Sequence, residues 1–424
     1  MISEQEYKSR RDALVETLSK NSVAVVFSAT YKTRSNDTEY PYRQNSNFYY
    51  LTGFKEENSI LVFIRKKKKT KTVLFVQKKD KTVELWTGKK EGVKKAKKRF
   101  LVDEVFLVDD FTTKLNEYLA DVKHLYFDFK QDDTDIRTLK EHTKDIYSYK
   151  NIAKPISMMR LIKSEAEIKL IKKAISITKD AHHRVMMMDK LGKNEMHIQA
   201  ELEYVFKKNM AYNDAYTSIV AGGNSANTLH YISNNKPLVD GELILIDAGC
   251  EYDYYASDIT RTIPVNGKFT KAQKEIYNLV LEVEEKIISM VEPDVLRSDL
   301  HKKSEKLLVD GMVKLGILKG KTKKIIKKQK HKKYYPHGIG HWMGLDVHDE
   351  APYKDAKGKE IALKEGMVLT IEPALYFDKD DKYIPKEYRG IGIRIEDDIV
   401  VTKDGFENLS VDISKTILGI ESLS

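Results

Sequence analysis

Leu243-Ile244-Leu245-Ile246-Asp247-Ala248-Gly249-Cys250, followed by Tyr255-Ala256-Ser257-Asp258-Ile259-Thr260-Arg261-Thr262-Ile263, sets two aspartates inside apolar, strand-forming runs. Folded as a hairpin with Tyr252 and Asp253 at its tip, the segment places Asp247 opposite Asp258. Directly opposed side chains on one face lie about 5 Å apart at Cβ. Two carboxylates that close, away from water, repel strongly. Either one of them holds a proton or a cation lies between them, so a metal-bridging pair is the first hypothesis. The plain alternative is a pair of turn-end carboxylates in a slipped register. The apolar pattern that sets the register opposes it.

A second pair repeats the pattern. Met367-Val368-Leu369-Thr370-Ile371-Glu372 reads as a strand entering Pro373. Ile391-Gly392-Ile393-Arg394-Ile395-Glu396 alternates, with isoleucines on one face and Gly392, Arg394 and Glu396 on the other. Between the hairpins lies His337-Gly338-Ile339-Gly340-His341-Trp342-Met343-Gly344-Leu345-Asp346-Val347-His348-Asp349, with three of the chain's 11 histidines. Its glycines argue against the helical two-histidine zinc motif. Read alone, Glu372 is a strand end before a proline, Arg394 and Glu396 are an exposed edge pair, and His230 is a loop histidine. Jointly they point to a site. Four carboxylates and one imidazole suit two divalent ions, and the oxygen-rich set favours manganese or a similar metal over a structural zinc. Two ions about 3.5–4 Å apart form the clamp used for hydrolysis, activating water and stabilising an oxyanion.

At these residues the chain resembles the "pita-bread" metallopeptidases of the methionine aminopeptidase and prolidase family. Within that family it is similar to the bacterial aminopeptidase P (Xaa-Pro aminopeptidase) branch. The likeness covers nearly the whole chain. It includes Tyr40-Pro41-Tyr42-Arg43-Gln44-Asn45, Asn47-Phe48-Tyr49-Tyr50-Leu51-Thr52-Gly53-Phe54, Leu85-Trp86-Thr87-Gly88 and Thr228-Leu229-His230-Tyr231. Residues 258–268, 337–349 and 388–398 and Ile371-Glu372-Pro373 complete it. The resemblance implies an α/β, creatinase-like N-terminal domain with a mixed sheet and helices over residues 1–157. An α+β pita-bread catalytic domain with pseudo-twofold duplicated helix-helix-hairpin units follows over residues 158–424.

The resemblance also implies roles. The metal ligands are Asp247, Asp258, His341, Glu372 and Glu396, with Asp258 and Glu396 shared between two ions, most readily Mn2+. A metal-bridging hydroxide attacks the carbonyl before proline, and Glu372 takes the nucleophile's proton. His348 steadies the oxyanion, and His230 lies beside the scissile nitrogen. His337, Tyr376 and Arg394 shape the proline subsite. Asp37 and Trp86 contribute to substrate binding from the N-terminal domain, Trp86 by reaching a neighbouring subunit's site. The implied activity is hydrolysis of Xaa-Pro-Yaa peptides by a homodimer or homotetramer. Ala374 departs from the glycine common after the Glu-Pro pair. A prolidase restricted to Xaa-Pro dipeptides is the nearest alternative. A peptidase-like binding module without catalysis is the alternative of a different class, and the filled ligand positions oppose it.

A chain of 424 residues holds two to three domains. Its one cysteine, Cys250, excludes an internal disulfide and fits a reducing compartment. The start shows no signal-peptide pattern, and no apolar run reaches the ~18 residues of a membrane helix. The expected location is the cytoplasm, without membrane partners. The net charge of +10 is concentrated in lysine clusters at 66–69, 89–99 and 319–333. They read as solvated loops and faces. They lack the interleaved aromatics of single-strand binders, so no nucleic-acid partner is expected.

Residues 4–19 predict an amphipathic helix, and 23–28, 60–64, 73–77 and 125–129 predict strands. Lys154-Pro155 reads as the passage between domains. Ser164 with Glu167, and Thr270 with Gln273, have capping-box spacing and each predict a helix start. Further helices are expected near 195–208 and 300–315. Two helices and a hairpin thus recur, a weak internal duplication with the site between the two half-sheets.

Overall fold

The computed structural model describes residues 1–141, 143, 146 and 148–424. The chain divides into two compact units, Met1–Arg160 and Leu161–Ser424.

In the first unit every residue of the strand Ser22–Phe27 is buried. It pairs antiparallel with Ile60–Arg65 and parallel with His124–Phe127. A central strand covered on both faces reads as a continuous apolar run rather than an alternation. Among the described residues the mixed sheet has six strands, in the order Glu104–Leu107, Thr70–Val76, Ile60–Arg65, Ser22–Phe27, His124–Phe127, Ser148–Asn151. Val23, Val62, Phe75, Phe111 and Leu125 form its core. Each such buried side chain contributes ~1.5–3 kcal/mol. Asn45 caps the buried helix Ser46–Thr52 through the Phe48 N–H. Buried Gln44 accepts from the Ala29 N–H and donates to the Phe54 and Glu56 carbonyls. These polar residues of the 40–54 stretch therefore serve the unit's own packing. The stretch expected as a passage between domains is itself a helix, Ala153–Arg160. Pro155 lies in its first turn, where the N–H has no helical acceptor to lose.

The second unit opens with the helix Glu165–Met187, whose capping box joins Ser164 and Glu167. The helix Glu195–Lys208 packs against it. Next comes the antiparallel sheet of Ile219–Gly222, Leu243–Asp247 and Thr260–Pro264. Helices Lys271–Ile288, capped by Thr270 and Gln273, and Arg297–Lys314 begin a second round. The sheet of Val368–Ile371, Asp397–Thr402 and Gly405–Asn408 closes it, with the pair Ala374–Tyr376 and Gly392–Arg394 alongside. One core runs through both rounds and includes Ile177, Leu202, Ile244, Val280, Leu308 and Ile393. Cys250 is buried in it, its thiol donating to the Ala174 carbonyl at 3.3 Å. The lysine-rich stretch 319–333 is not simply a loop, because it contains the short helix Thr322–Lys327, anchored by buried Ile325.

The first hairpin differs from the expected register. Asp247 pairs with Thr260, and Tyr252 with Tyr255, so the tip is Asp253–Tyr254. Both tip residues have positive φ, 47° and 73°. That is the two-residue turn whose twist matches the strands. Asp258 therefore faces Gly249 rather than Asp247. A side chain at Gly249 would collide with the Ser257 carbonyl. The slip is two residues, one full side-chain period, so both aspartates keep a common face. Direct opposition belongs to the other pair. Ile371 pairs with Asp397 and Ala374 with Arg394, which sets Glu372 opposite Glu396.

Candidate active site

The two hairpins are stitched edge to edge. The Glu396 N–H donates to the Thr260 carbonyl at 3.2 Å, and the Thr262 hydroxyl to the Arg394 carbonyl at 2.9 Å. This brings the aspartate and glutamate pairs to one cavity of about 750 Å3, walled also by His230, His337, His341, His348, Arg297 and Tyr353.

Asp258, His341 and Glu396 each present a donor atom, and these atoms lie within 4.8 Å of one another. His341 Nε2 is 3.3 Å from Asp258 Oδ2 and 3.9 Å from Glu372 Oε1. Asp247 joins through Tyr216, whose hydroxyl lies 2.6 Å from both Asp247 Oδ1 and Asp258 Oδ1. Thr260 donates to Glu396 Oε2 at 2.6 Å.

Without a metal ion, carboxylates this close favour holding protons. Tyr216 has one proton for two carboxylates. Burial raises Asp247, with the Asp258 charge adding to it and Arg394 opposing. Burial and the charges of Asp258 and Glu372 push Glu396 well above the usual carboxylate range. Burial raises Glu372 to about 7 despite His341 and Arg394. Burial alone would lower His341, but Asp258 and Glu372 raise it to about 9. The His341 Nδ1–H donates to the Trp342 carbonyl at 3.1 Å, which turns Nε2 toward the carboxylates. That is the tautomer control seen in metal-binding histidines. The residues present fit divalent cations, which would replace these protons.

Arg394 is the guanidinium that meets the acidic cluster. It donates to Asp247 Oδ2 at 2.5 Å, Tyr376 Oη at 2.7 Å and Thr260 Oγ1 at 3.0 Å. The Tyr376 hydroxyl donates a hydrogen bond to His337 Nε2 at 3.0 Å, while His337 Nδ1–H donates to the Gly338 carbonyl. Burial and the Arg394 charge push His337 down to about 3, so this ring is neutral. His348 packs edge-on against His341, 4.1 Å between centroids. Burial, then the His341 charge, lowers it. Asp37 and Trp86 belong to the first unit. Asp37 is exposed at the tip between Thr33–Ser35 and Thr38–Glu39, and Trp86 is 84% exposed on the helix Lys81–Thr87.

Sequence reasoning missed Tyr216, Thr260, Arg297 and Tyr353. Thr260 was findable, since alternation puts it on the face of Asp258 and Thr262. Tyr216 sits in an aperiodic loop with no such signal.

Behind the site lies a buried ionic network. Arg261 donates to the Glu396 and Thr260 carbonyls at 2.7 and 2.9 Å and to Asp397 at 2.7 Å. Lys415 joins Asp397 to Glu284. The network fixes the backbone on which Thr260 and Glu396 stand.

Residues 169–403 match the family described as Metallopeptidase family M24, and residues 7–126 match the aminopeptidase P N-terminal domain. The chain is 41% identical to the Xaa-Pro aminopeptidase of Escherichia coli (strain K12), covering 100% of this chain and 98% of that one. It is 35% identical to human Xaa-Pro aminopeptidase 3, over 100% and 86%. Among solved structures it is similar to E. coli aminopeptidase P with the inhibitor Pro-Leu, at TM-score 0.96 and 39% identity, covering 100% and 98%. It is also similar to proline aminopeptidase P II of Yersinia pestis, at TM-score 0.96 and 38% identity, over 100% and 99%.

Proposed function

The chain belongs to metallopeptidase family M24 and carries the N-terminal domain of aminopeptidase P, and we propose from that premise that it removes an N-terminal residue preceding proline from Xaa-Pro-Yaa peptides. It is a metal-dependent hydrolase of the Xaa-Pro aminopeptidase type. One observation carries the reading: three buried carboxylates, the half-buried Glu372 and an imidazole converge on one cavity, where Arg394 is the guanidinium that pairs with Asp247.

Asp247, Asp258, His341, Glu372 and Glu396 would hold two divalent ions, Mn2+ by the oxygen-rich donor set. When bound, such a pair supplies a water of lowered pKa and Lewis-acid stabilisation of an oxyanion. The protein's own groups do the rest. Glu372, which lines the cavity beside the other carboxylates, accepts the proton of the attacking water. The acidic floor, Asp247 foremost, attracts the substrate's α-ammonium and so restricts cleavage to the N-terminus. His348 and His230 border the cavity as donors to the developing oxyanion and to the departing nitrogen. An Xaa-Pro bond has no N–H for a peptidase to grip. Recognition therefore falls on ring shape, and the His337, Tyr376 and Arg394 chain offers a rigid aromatic wall for it.

The domain boundary is assigned between residues 157 and 158, a reading supported by the two compact units Met1–Arg160 and Leu161–Ser424. Asp37 and Trp86 are assigned to substrate binding, Trp86 in a homodimer or homotetramer, supported by its exposed indole. No helix among the described residues is long and apolar enough to cross a membrane. The single buried cysteine supports a reducing, cytoplasmic setting.

The test is Glu372→Gln and Asp258→Asn, assayed for metal content and Xaa-Pro-Yaa turnover. Asp258→Asn should lose metal, and both should lose turnover. Full rates in both would sink the assignment. Turnover of Xaa-Pro dipeptides alone would make the protein a prolidase.

A further inference from the structure

Arg297, the first residue of the helix Arg297–Lys314, lies in the cavity wall and has no part in the machinery above. Its Nη1 donates to the Gly340 carbonyl at 2.9 Å. The guanidinium sits 4.3 Å over the Tyr353 ring, which stacks in turn on buried Trp342 at 5.6 Å and 21°. Its Nε is buried without a hydrogen-bond partner, and among the described residues no carboxylate pairs with it. A guanidinium offers five N–H donors in a rigid fork. Here the ring stack and the Gly340 contact fix the plane of that fork and leave donors unspent.

The contrast with Arg394 decides what Arg297 can do. Arg394 is neutralised by Asp247 and also donates to Tyr376 and Thr260. Arg297 is the cavity's unneutralised cation. A short peptide has a positive amine and a negative carboxylate, two to three residues apart at ~3.3–3.6 Å per residue. The acidic floor takes the amine end, so the cationic wall is complementary to the other.

Resting on the functional reading above, we infer that Arg297, held by Tyr353 and Gly340, forms a carboxylate subsite that selects short substrates by their free C-terminus. Fork-to-carboxylate pairing is the geometry a guanidinium matches best. The subsite makes the enzyme discriminate by peptide length, because a longer chain carries its carboxylate beyond reach. It acts on recognition and not on bond cleavage.

The experiment compares Ala-Pro-Ala with its C-terminal amide, using metal-loaded protein and the variants Arg297→Gln and Arg297→Lys. The native protein should show a KM about tenfold lower for the acid, the fold equivalent of one charge-assisted contact. Arg297→Gln should bring the acid-to-amide KM ratio to near one, with the effect in KM and not in kcat. Arg297→Lys should restore part of it. Calorimetry of Pro-Ala against Pro-Ala amide should show the same preference and its loss. Turnover of both peptides without discrimination by the native protein overturns this inference alone, as does an equal loss on both in Arg297→Gln. No turnover of either peptide overturns the functional reading, and this inference with it.

Discussion

The Arg394 guanidinium reaches the Asp247 carboxylate at 2.5 Å, and both side chains are buried. The same guanidinium holds Tyr376 and Thr260, so three elements of the site share one planar group. Lysine can supply the charge but not the fork. Arg394→Lys should therefore lower kcat/KM for Xaa-Pro-Yaa by about 10- to 100-fold, the usual effect of removing a group that orients metal ligands. Steady-state kinetics at saturating metal would show it. An unchanged kcat/KM would mean that the three bonds are incidental.

The site's raised groups should contribute less to the stability of the metal-free protein as pH rises. Glu372 is raised by burial from 4.5 to about 7 in the folded chain. A carboxyl raised on folding stabilises below its unfolded value, and that contribution is lost as pH rises through the folded one. Asp247 and Glu396 shift the same way. His341, raised to about 9, also stabilises most at low pH. Divalent ions replace these protons, so the metal-induced gain in Tm should grow from pH 5.5 to 8. Thermal unfolding of chelated and manganese-loaded protein would test this. Parallel curves would count against a metal at these residues.

The buried network behind the site should matter for stability rather than for chemistry alone. Arg261 and Asp397 are fully buried and pair at 2.7 Å. Removing one partner of such a pair leaves a charge stranded, at ~3–5 kcal/mol. Arg261→Met should show a loss of that order in urea unfolding, together with weaker metal retention, since it also releases the Glu396 carbonyl. Near-native stability would show that Lys415 neutralises Asp397 unaided.

Much of this was legible because it rests on short-range rules. Ser164 with Glu167 and Thr270 with Gln273 announce their helices by spacing, and both capping boxes form. Alternation placed Arg394 and Glu396 on one face of a strand. The first hairpin's register was not legible, because its tip carries no Asn-Gly or Asp-Gly marker. A tyrosine at φ 73° is an uncommon choice that only the folded strands impose. The error did little harm, since a slip of two residues returns every side chain to its face. Tyr216 and Arg297 stayed hidden for another reason. One sits in an aperiodic loop and the other at a helix start, and their partners are 31 or more residues away. The opposition of Glu372 and Glu396 likewise emerges only when two distant strands pair.

Cys250 has a practical consequence. Burial pushes its thiol up to about 12, so at neutral pH the folded chain offers no thiolate to solvent. Two copies of the chain cannot become cross-linked by air oxidation while they remain native. Ala174 and Thr178 of the helix Glu165–Met187 contact this thiol, so uptake of an alkylating label should report separation of that helix from the first hairpin.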